Sequence, residues 1–200
     1  MRVKICGLTR REDVELCDEL GATHVGFVIE PKTPRCVALE RVAELVEKVT
    51  AVPVLVLRKA NTEMIVEATR RTGVRSVQLH CTDDRQVAEL ESEGLSLHRV
   101  RAVSQADRDL STLNPTPDRK HLWQLDVGGG GTGSAFDWSL LGERSPSYVF
   151  IAGGITPENL PVLLERAPWG IDLSSGVECS PGIKDQGRLR ALFQTVRCSV

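Results

Sequence analysis

Short β-branched runs alternate with longer amphipathic stretches along this chain, and that rhythm limits its fold more than any other feature. Residues 2–5, 24–28, 52–57, 76–79 and 97–100 read as strands, being short, apolar and rich in Val and Ile. Residues 13–20, 39–49, 62–71 and 84–93 between them carry helical periodicity. Gly21, Gly73 and Gly94 stand where three of these helices stop, and Thr62 sits as an N-cap. The rhythm weakens over residues 101–120, which are polar and hold Pro115 and Pro117. That stretch reads as irregular, with a short helix near Asp107. Strands resume at 122–125, 148–151 and 171–173. Helical pieces follow at 138–141, at 157–166 behind Thr156, and at 185–196. Interleaved strands and helices call for a parallel sheet. Eight βα units in 200 residues predict an α/β fold, a (β/α)8 TIM barrel forming one domain over 1–200. An open doubly wound sheet is the alternative. A barrel of this type usually takes about 250 residues, so its connections here must be brief.

Charge and composition narrow the partners. Twenty-five Lys and Arg against 27 Asp and Glu give a net charge of -2. A nucleic-acid binder usually carries a basic footprint instead, and aromatics at 4% leave no broad stacking surface for bases. No run approaches the roughly 18 apolar residues of a membrane span. The start, MRVKICG, lacks the basic and then apolar regions of a secretory signal. A cytoplasmic location is therefore expected. The six cysteines, at 6, 17, 36, 81, 179 and 198, include no CxxC pair. With no HExxH among the four histidines, a structural metal has no ligand set. Free thiols in a reducing compartment are the plainer expectation.

Strand parity singles out a few polar residues. Val3 and Ile5 share one face of the first strand, and Lys4 and Cys6 the other. In a barrel the apolar pair packs under helices, which turns Lys4 and Cys6 inward. Trp123 and Leu125 against Gln124 and Asp126 repeat the pattern, as do Asp172 and Ser174 in the last strand. Cys6 and Asp126 then end strands on the rim where barrel active sites lie. A thiol there serves as a general base if a cation such as Lys4 lowers its pKa. Asp126 serves as a general acid if burial or another carboxylate raises its own. Taken singly, a core cysteine and a strand-end cap are the plainer readings. Arg35, in the loop after the second strand, offers a bidentate grip on a carboxylate, with a solvated arginine as the alternative. Arg58 and Lys59 follow the third strand as a cationic pair whose default reading is solvated charge.

Glycine clusters follow the last strands. Residues 128–133 read GGGGTG, Gly153-Gly154 follows strand seven, and Ser174-Ser175-Gly176 follows strand eight. Such segments let backbone N–H groups approach an anion. In this architecture a phosphate commonly sits beside the loops after strands seven and eight. A barrel of phosphate-binding type is expected, although each cluster alone is compatible with plain turn chemistry. None is a Walker A motif or a dinucleotide fingerprint.

These fragments together resemble one family. Lys4-Ile5-Cys6-Gly7-Leu8-Thr9, Thr33-Pro34-Arg35, Gln78-Leu79-His80 and Leu125-Asp126 come first. Gly130-Gly131-Thr132-Gly133, Phe136-Asp137-Trp138 and Ala152-Gly153-Gly154-Ile155 follow. Asp172-Leu173-Ser174-Ser175-Gly176-Val177-Glu178 and Pro181-Gly182-Ile183-Lys184-Asp185 complete the series. In this order they resemble phosphoribosylanthranilate isomerase of tryptophan biosynthesis, nearly end to end. The resemblance implies a cofactor-free barrel that performs an Amadori rearrangement on a small anionic substrate. It implies Cys6 as catalytic base, Asp126 as catalytic acid and Arg35 as the contact to the anthranilate carboxylate. It also implies a phosphate site at Gly131, Gly133, Gly153, Gly154, Ser174, Ser175 and Gly176. The chain departs from the family pattern at Cys81, at Arg58-Lys59, at Glu30 and in the longer glycine run at Gly128-Gly129. The histidine-pathway barrel with the same chemistry is one rival, and Cys6 at the base position argues against it. A catalytically silent anion-binding barrel is another. With no spare apolar helix face evident, a monomer is expected.

Overall fold

The computed structural model describes residues 1–80, 83–104, 106–111, 121–127 and 135–199. In chain order the first half runs β1 (Arg2–Cys6), α1 (Arg11–Leu20), β2 (His24–Val28), α2 (Leu39–Leu45), β3 (Val52–Leu57), α3 (Thr62–Thr72), β4 (Ser76–Leu79) and α4 (Asp84–Ser92). The second half runs β5 (Ser96–Val103), β6 (His121–Val127), a 3-10 turn (Trp138–Leu141), β7 (Val149–Ala152), α5 (Leu160–Leu164) and β8 (Gly170–Leu173). A second 3-10 turn (Ser175–Val177), β9 (Glu178–Ser180), β10 (Ile183–Lys184) and α6 (Gln186–Cys198) finish the chain. Strands β1 to β8 pair in sequence order into a closed barrel. The closing seam is parallel, from Arg2 opposite Gly170 to Ile5 opposite Leu173. That seam rules out the open-sheet alternative, and the fold is a (β/α)8 TIM barrel.

Register carries one parity around the whole barrel. Lys4 lies opposite His24, Val54 opposite Ser76, Gln78 opposite His98, Gln124 opposite Phe150, and Ala152 opposite Asp172. Even-numbered strand residues therefore face the lumen. Odd-numbered ones, such as Val3, Ile5, Val25, Phe27, Leu55, Val77, Leu125 and Ile151, join the buried layer beneath the helices. The parity expected for Lys4, Cys6, Gln124, Asp126 and Asp172 is the observed one.

The lumen is polar for a barrel core. In its lower part His24 and His98 pack edge to face at 5.5 Å, and both rings meet Phe150. Ser76 Oγ lies 3.1 Å from His98 Nε2. Gly170 makes room for Phe150, because a Cβ there would come 2.8 Å from the ring. Above this layer Lys4 Nζ donates to Asp172 Oδ2 at 2.8 Å.

Several local expectations change. Helix α2 stops at Leu45, four residues short of the expected end. Lys48 takes a left-handed φ of 64°, and the Asp18 carboxylate accepts the N–H groups of Thr50 and Ala51 instead. Asn61, rather than Thr62, caps α3 by accepting from the Met64 N–H, while Thr62 bonds Glu89. No helix forms around Asp107 among the described residues. Its carboxylate accepts from the Ser104 N–H and pairs with Arg101, fixing a turn. Helix α5 starts at Leu160 rather than 157. Thr156 and Asn159 bond each other's backbone N–H groups, at 2.8 and 3.4 Å, and hold the entry as a turn. Between β6 and β7 the described residues form a 3-10 turn, and the Leu110 N–H bonds Leu140 O against it.

Candidate active site

The C-terminal ends of the strands surround one cleft. Cys6, Arg35, Asp126, Gly153, Gly154, Ser174, Ser175 and Gly176 all line it. Gly131 and Gly133, expected at the same site, lie outside the described residues, as does Cys81.

Cys6 ends β1 beside Lys4, and both side chains reach toward Gly26 on β2. A Cβ at Gly26 would come 3.0 Å from Cys6 Sγ and 3.3 Å from Lys4 Nζ. The absent side chain at 26 is thus what accommodates the thiol and the ammonium. Burial pushes the Cys6 thiol above its ordinary range, and Asp172 adds to this. Lys4 and Lys184 pull the other way without prevailing. The expectation that Lys4 would leave Cys6 with a lowered pKa is therefore corrected. Desolvation of the thiolate outweighs the cation, whose charge is already shared with Asp172. Burial opposes the charge on Lys4 too, but Asp172 and then Cys6 hold its pKa up.

Asp126 closes β6 from another side of the mouth and is 5% exposed. Burial, and then the Asp172 carboxylate, raise it to about 6. Either cause alone would meet the expectation for a general acid, and here both act. Arg58 and Lys4 act against the shift and the Val127 backbone N–H partly offsets it.

Arg35 is already gripped. Its Nε and Nη2 donate to Glu178 Oε1 and Oε2 at 2.9 and 2.6 Å, a bidentate pair. Two of five guanidinium donor sites are used in this way. Glu178 also accepts from Lys184 Nζ at 2.8 Å. That buried ammonium donates further to the carbonyls of Cys6 at 2.6 Å and Ser174 at 3.2 Å. Burial works against the charge on Glu178, yet Arg35 and Lys184 hold its carboxyl below the usual range. Gly7 is part of the same arrangement. With φ of 73°, a Cβ there would sit 2.6 Å from Arg35 Cδ. The sequence reading assigned no role to Glu178 or Lys184. Their opposite charges flanking Pro181-Gly182 were the available signal.

The loops after β7 and β8 are pressed together. A Cβ at Gly176 would fall 1.9 Å from the carbonyl oxygen of Ile155. Gly153 and Gly154 take φ of 93° and 60°, a region L side chains rarely adopt. Glycines of both loops line the cleft. Across the mouth stand Gln78, His80 and Arg58. Burial and then Arg58 depress His80 to about 4, so it is a neutral ring near neutral pH.

The sequence model of the N-(5'phosphoribosyl)anthranilate (PRA) isomerase family matches residues 3–195. The chain belongs to this family. It is 36% identical over 203 residues to the N-(5'-phosphoribosyl)anthranilate isomerase of Dechloromonas aromatica, covering 98% of this chain and 96% of that one. It is 34% identical to the tryptophan biosynthesis protein TrpCF of Yersinia pestis, covering 97% of this chain but only 41% of that relative. The chain thus spans about two fifths of the length of such TrpCF relatives. Among solved structures, the phosphoribosyl anthranilate isomerase of Thermus thermophilus superposes with a TM-score of 0.84 at 32% identity, covering 99% of both chains. A PRA isomerase in complex with reduced 1-(o-carboxyphenylamino)-1-deoxyribulose 5-phosphate superposes at 0.80 with 27% identity, again covering 99% of both. The cleft built by β1, β6, β7 and β8 is therefore set in the framework of that family.

Proposed function

We propose that the chain isomerises N-(5-phosphoribosyl)anthranilate to 1-(2-carboxyphenylamino)-1-deoxyribulose 5-phosphate, an Amadori rearrangement in tryptophan biosynthesis. One observation carries the proposal: a carboxyl raised to about 6, Asp126, shares a cleft with the Cys6 thiol and the β7–β8 glycine loops. Asp126 donates its proton to the ribose ring oxygen, which opens the ring to a Schiff base. Cys6, as thiolate, removes the C2 proton of the sugar, and the electron pair moves into the protonated imine. The resulting enolamine tautomerises to the ketose. An acid and a base held on different strands suit a reaction that gives one proton and takes another. The protonated imine is itself the electron sink, so the chemistry asks for no cofactor.

Backbone N–H groups at Gly153, Gly154, Ser174, Ser175 and Gly176 take the phosphate in this reading, joined by Gly131 and Gly133. Arg35 takes the anthranilate carboxylate through the donors that Glu178 leaves open. Lys184 and Glu178 act behind Arg35 and Cys6 as positioning residues. The fluorescence of the anthranilate substrate provides the test. Adding the protein should make it decay as product forms. Tight binding with no decay would instead identify a silent anion-binding barrel.

A further inference from the structure

We propose that Arg58, at the end of β3, is the second cation that reads the carboxylate of the substrate. The proposal deepens the reading above and rests on it. In an eight-stranded barrel closed in sequence order, β3 lies four strands from β7. Arg58 therefore faces Gly153 and Gly154 from the diametrically opposite side of the mouth. A substrate whose phosphate rests on the β7 and β8 loops sends its aromatic end across to β2, β3 and β4.

The cations available there are few. Among the described cleft-lining residues only Arg35 and Arg58 carry permanent positive charge. Arg35 has its Nε and one Nη2 donor committed to Glu178. Arg58 is exposed and has no ion-pair or hydrogen-bond partner among the described residues. Its charge nevertheless reaches the site, since it acts on both His80 and Asp126. His80 is held neutral and supplies no charge of its own. Glu30 lines the same side of the cleft and repels a carboxylate. With Arg35 half engaged and Glu30 opposing, one arginine is a weak anchor and two make a site. Guanidinium donors in a planar fork suit a carboxylate better than a point charge does.

Two ligands separate this role from general electrostatics. One is reduced 1-(o-carboxyphenylamino)-1-deoxyribulose 5-phosphate. The other is its phenylamino counterpart, which lacks only the carboxyl group. Their affinities are measured on the wild-type protein and on Arg58→Met and Arg58→Lys variants. Wild type should prefer the carboxylated ligand. Arg58→Met should lose about 10-fold to 100-fold of that preference, the worth of a charge-assisted hydrogen bond. Its affinity for the phenylamino ligand should change less than about threefold by the same reckoning. Arg58→Lys should fall between the two. A full carboxylate preference in Arg58→Met would overturn the proposal, as would an equal loss of affinity for both ligands. Turnover of the fluorescent substrate by wild type separates the two levels. If wild type turns over and Arg58→Met keeps its preference, only the Arg58 role fails. If wild type neither turns over nor prefers the carboxylated ligand, the isomerase reading and the Arg58 role fail together.

Discussion

At the scale of single residues, two ionisable groups are shifted upward for a shared reason. Asp126 and Cys6 are both desolvated beside Asp172, so each favours its neutral form. The neutral form is the working form of the acid and the resting form of the base. The rate then follows the fraction of molecules with Asp126 protonated and Cys6 ionised. That fraction climbs with pH up to about 6, levels off, and falls only above the raised thiol range. The pH profile of kcat/KM should show a break near 6, where ionisation of Asp126 cancels the continuing rise from Cys6. Asp126→Asn should remove that break along with most of the activity, so that the residual rate keeps climbing with pH. A break unchanged in Asp126→Asn would place the titrating group elsewhere. Gly26→Ala is a second residue-scale prediction. A Cβ 3.0 Å from Sγ and 3.2 Å from the Cys6 Cα cannot be absorbed by side-chain movement alone. Turnover should drop at least about 10-fold, since small displacements of a catalytic group are costly, with the fold retained by circular dichroism. The placement of Cys6 and Asp126 at the cleft was legible because strand parity and strand ends are local properties. The Glu178 grip on Arg35 was not. It spans 143 residues and depends on how the chain turns back after β8.

Elements show how that turn-back is made. Strands β9 and β10 form a small antiparallel hairpin beyond the barrel. Gly182 at its tip takes φ of 83°, and its carbonyl accepts from Thr9 Oγ1 at 2.6 Å. A Cβ at Gly182 would meet Pro34 O at 2.8 Å, next to Arg35. The hairpin therefore bridges the loops after β1 and β2. Lys184 inserts beneath it to hold the ends of β1 and β8 through two carbonyls. Lys184→Met should leave those carbonyls and part of Glu178 without a donor. A loss of about 3 kcal/mol is expected from removing one member of a buried charged group, read as a lower urea midpoint. A midpoint equal to wild type would show that the hairpin is not held from below. Helix caps were only partly readable from sequence. Gly21, Gly73 and Gly94 each stand at the left-handed stop expected of them. Asn61 displaced Thr62 because its side chain reaches the Met64 N–H from one residue earlier. Beyond the end of α2, Thr50 and Ala51 bond Asp18, a contact from α1 that no local pattern contains.

For the whole molecule, the polar lumen has a consequence at low pH. Burial, and then Lys4 and Arg2, depress His24 to about 4. Burial, and then the same lysine, also lower His98 well below its ordinary value. Both rings are neutral in the folded barrel, while an unfolded histidine takes up its proton near 6.5. Their contribution to stability is complete above pH 6.5 and is lost as pH falls toward 4. His24 alone accounts for up to about 3 kcal/mol of that loss. Urea unfolding at pH 7.5 and 5 should show the decline, and His24→Asn should flatten it. Equal slopes in both proteins would remove His24 from the account. The barrel itself was legible because eight βα units repeat one simple pattern. The turn that Asp107 builds after β5 was not legible, because it rests on the pairing of its side chain with Arg101 and Ser104. The chemistry depends on the group that ends β1, and Cys6→Ser tests it most directly. Turnover of the fluorescent anthranilate substrate should fall about 100-fold to 10,000-fold, the span attributed to a positioned base. Binding of the reduced product analogue should stay within about threefold of wild type. Near-normal turnover in Cys6→Ser would contradict the assignment of Cys6 as the base.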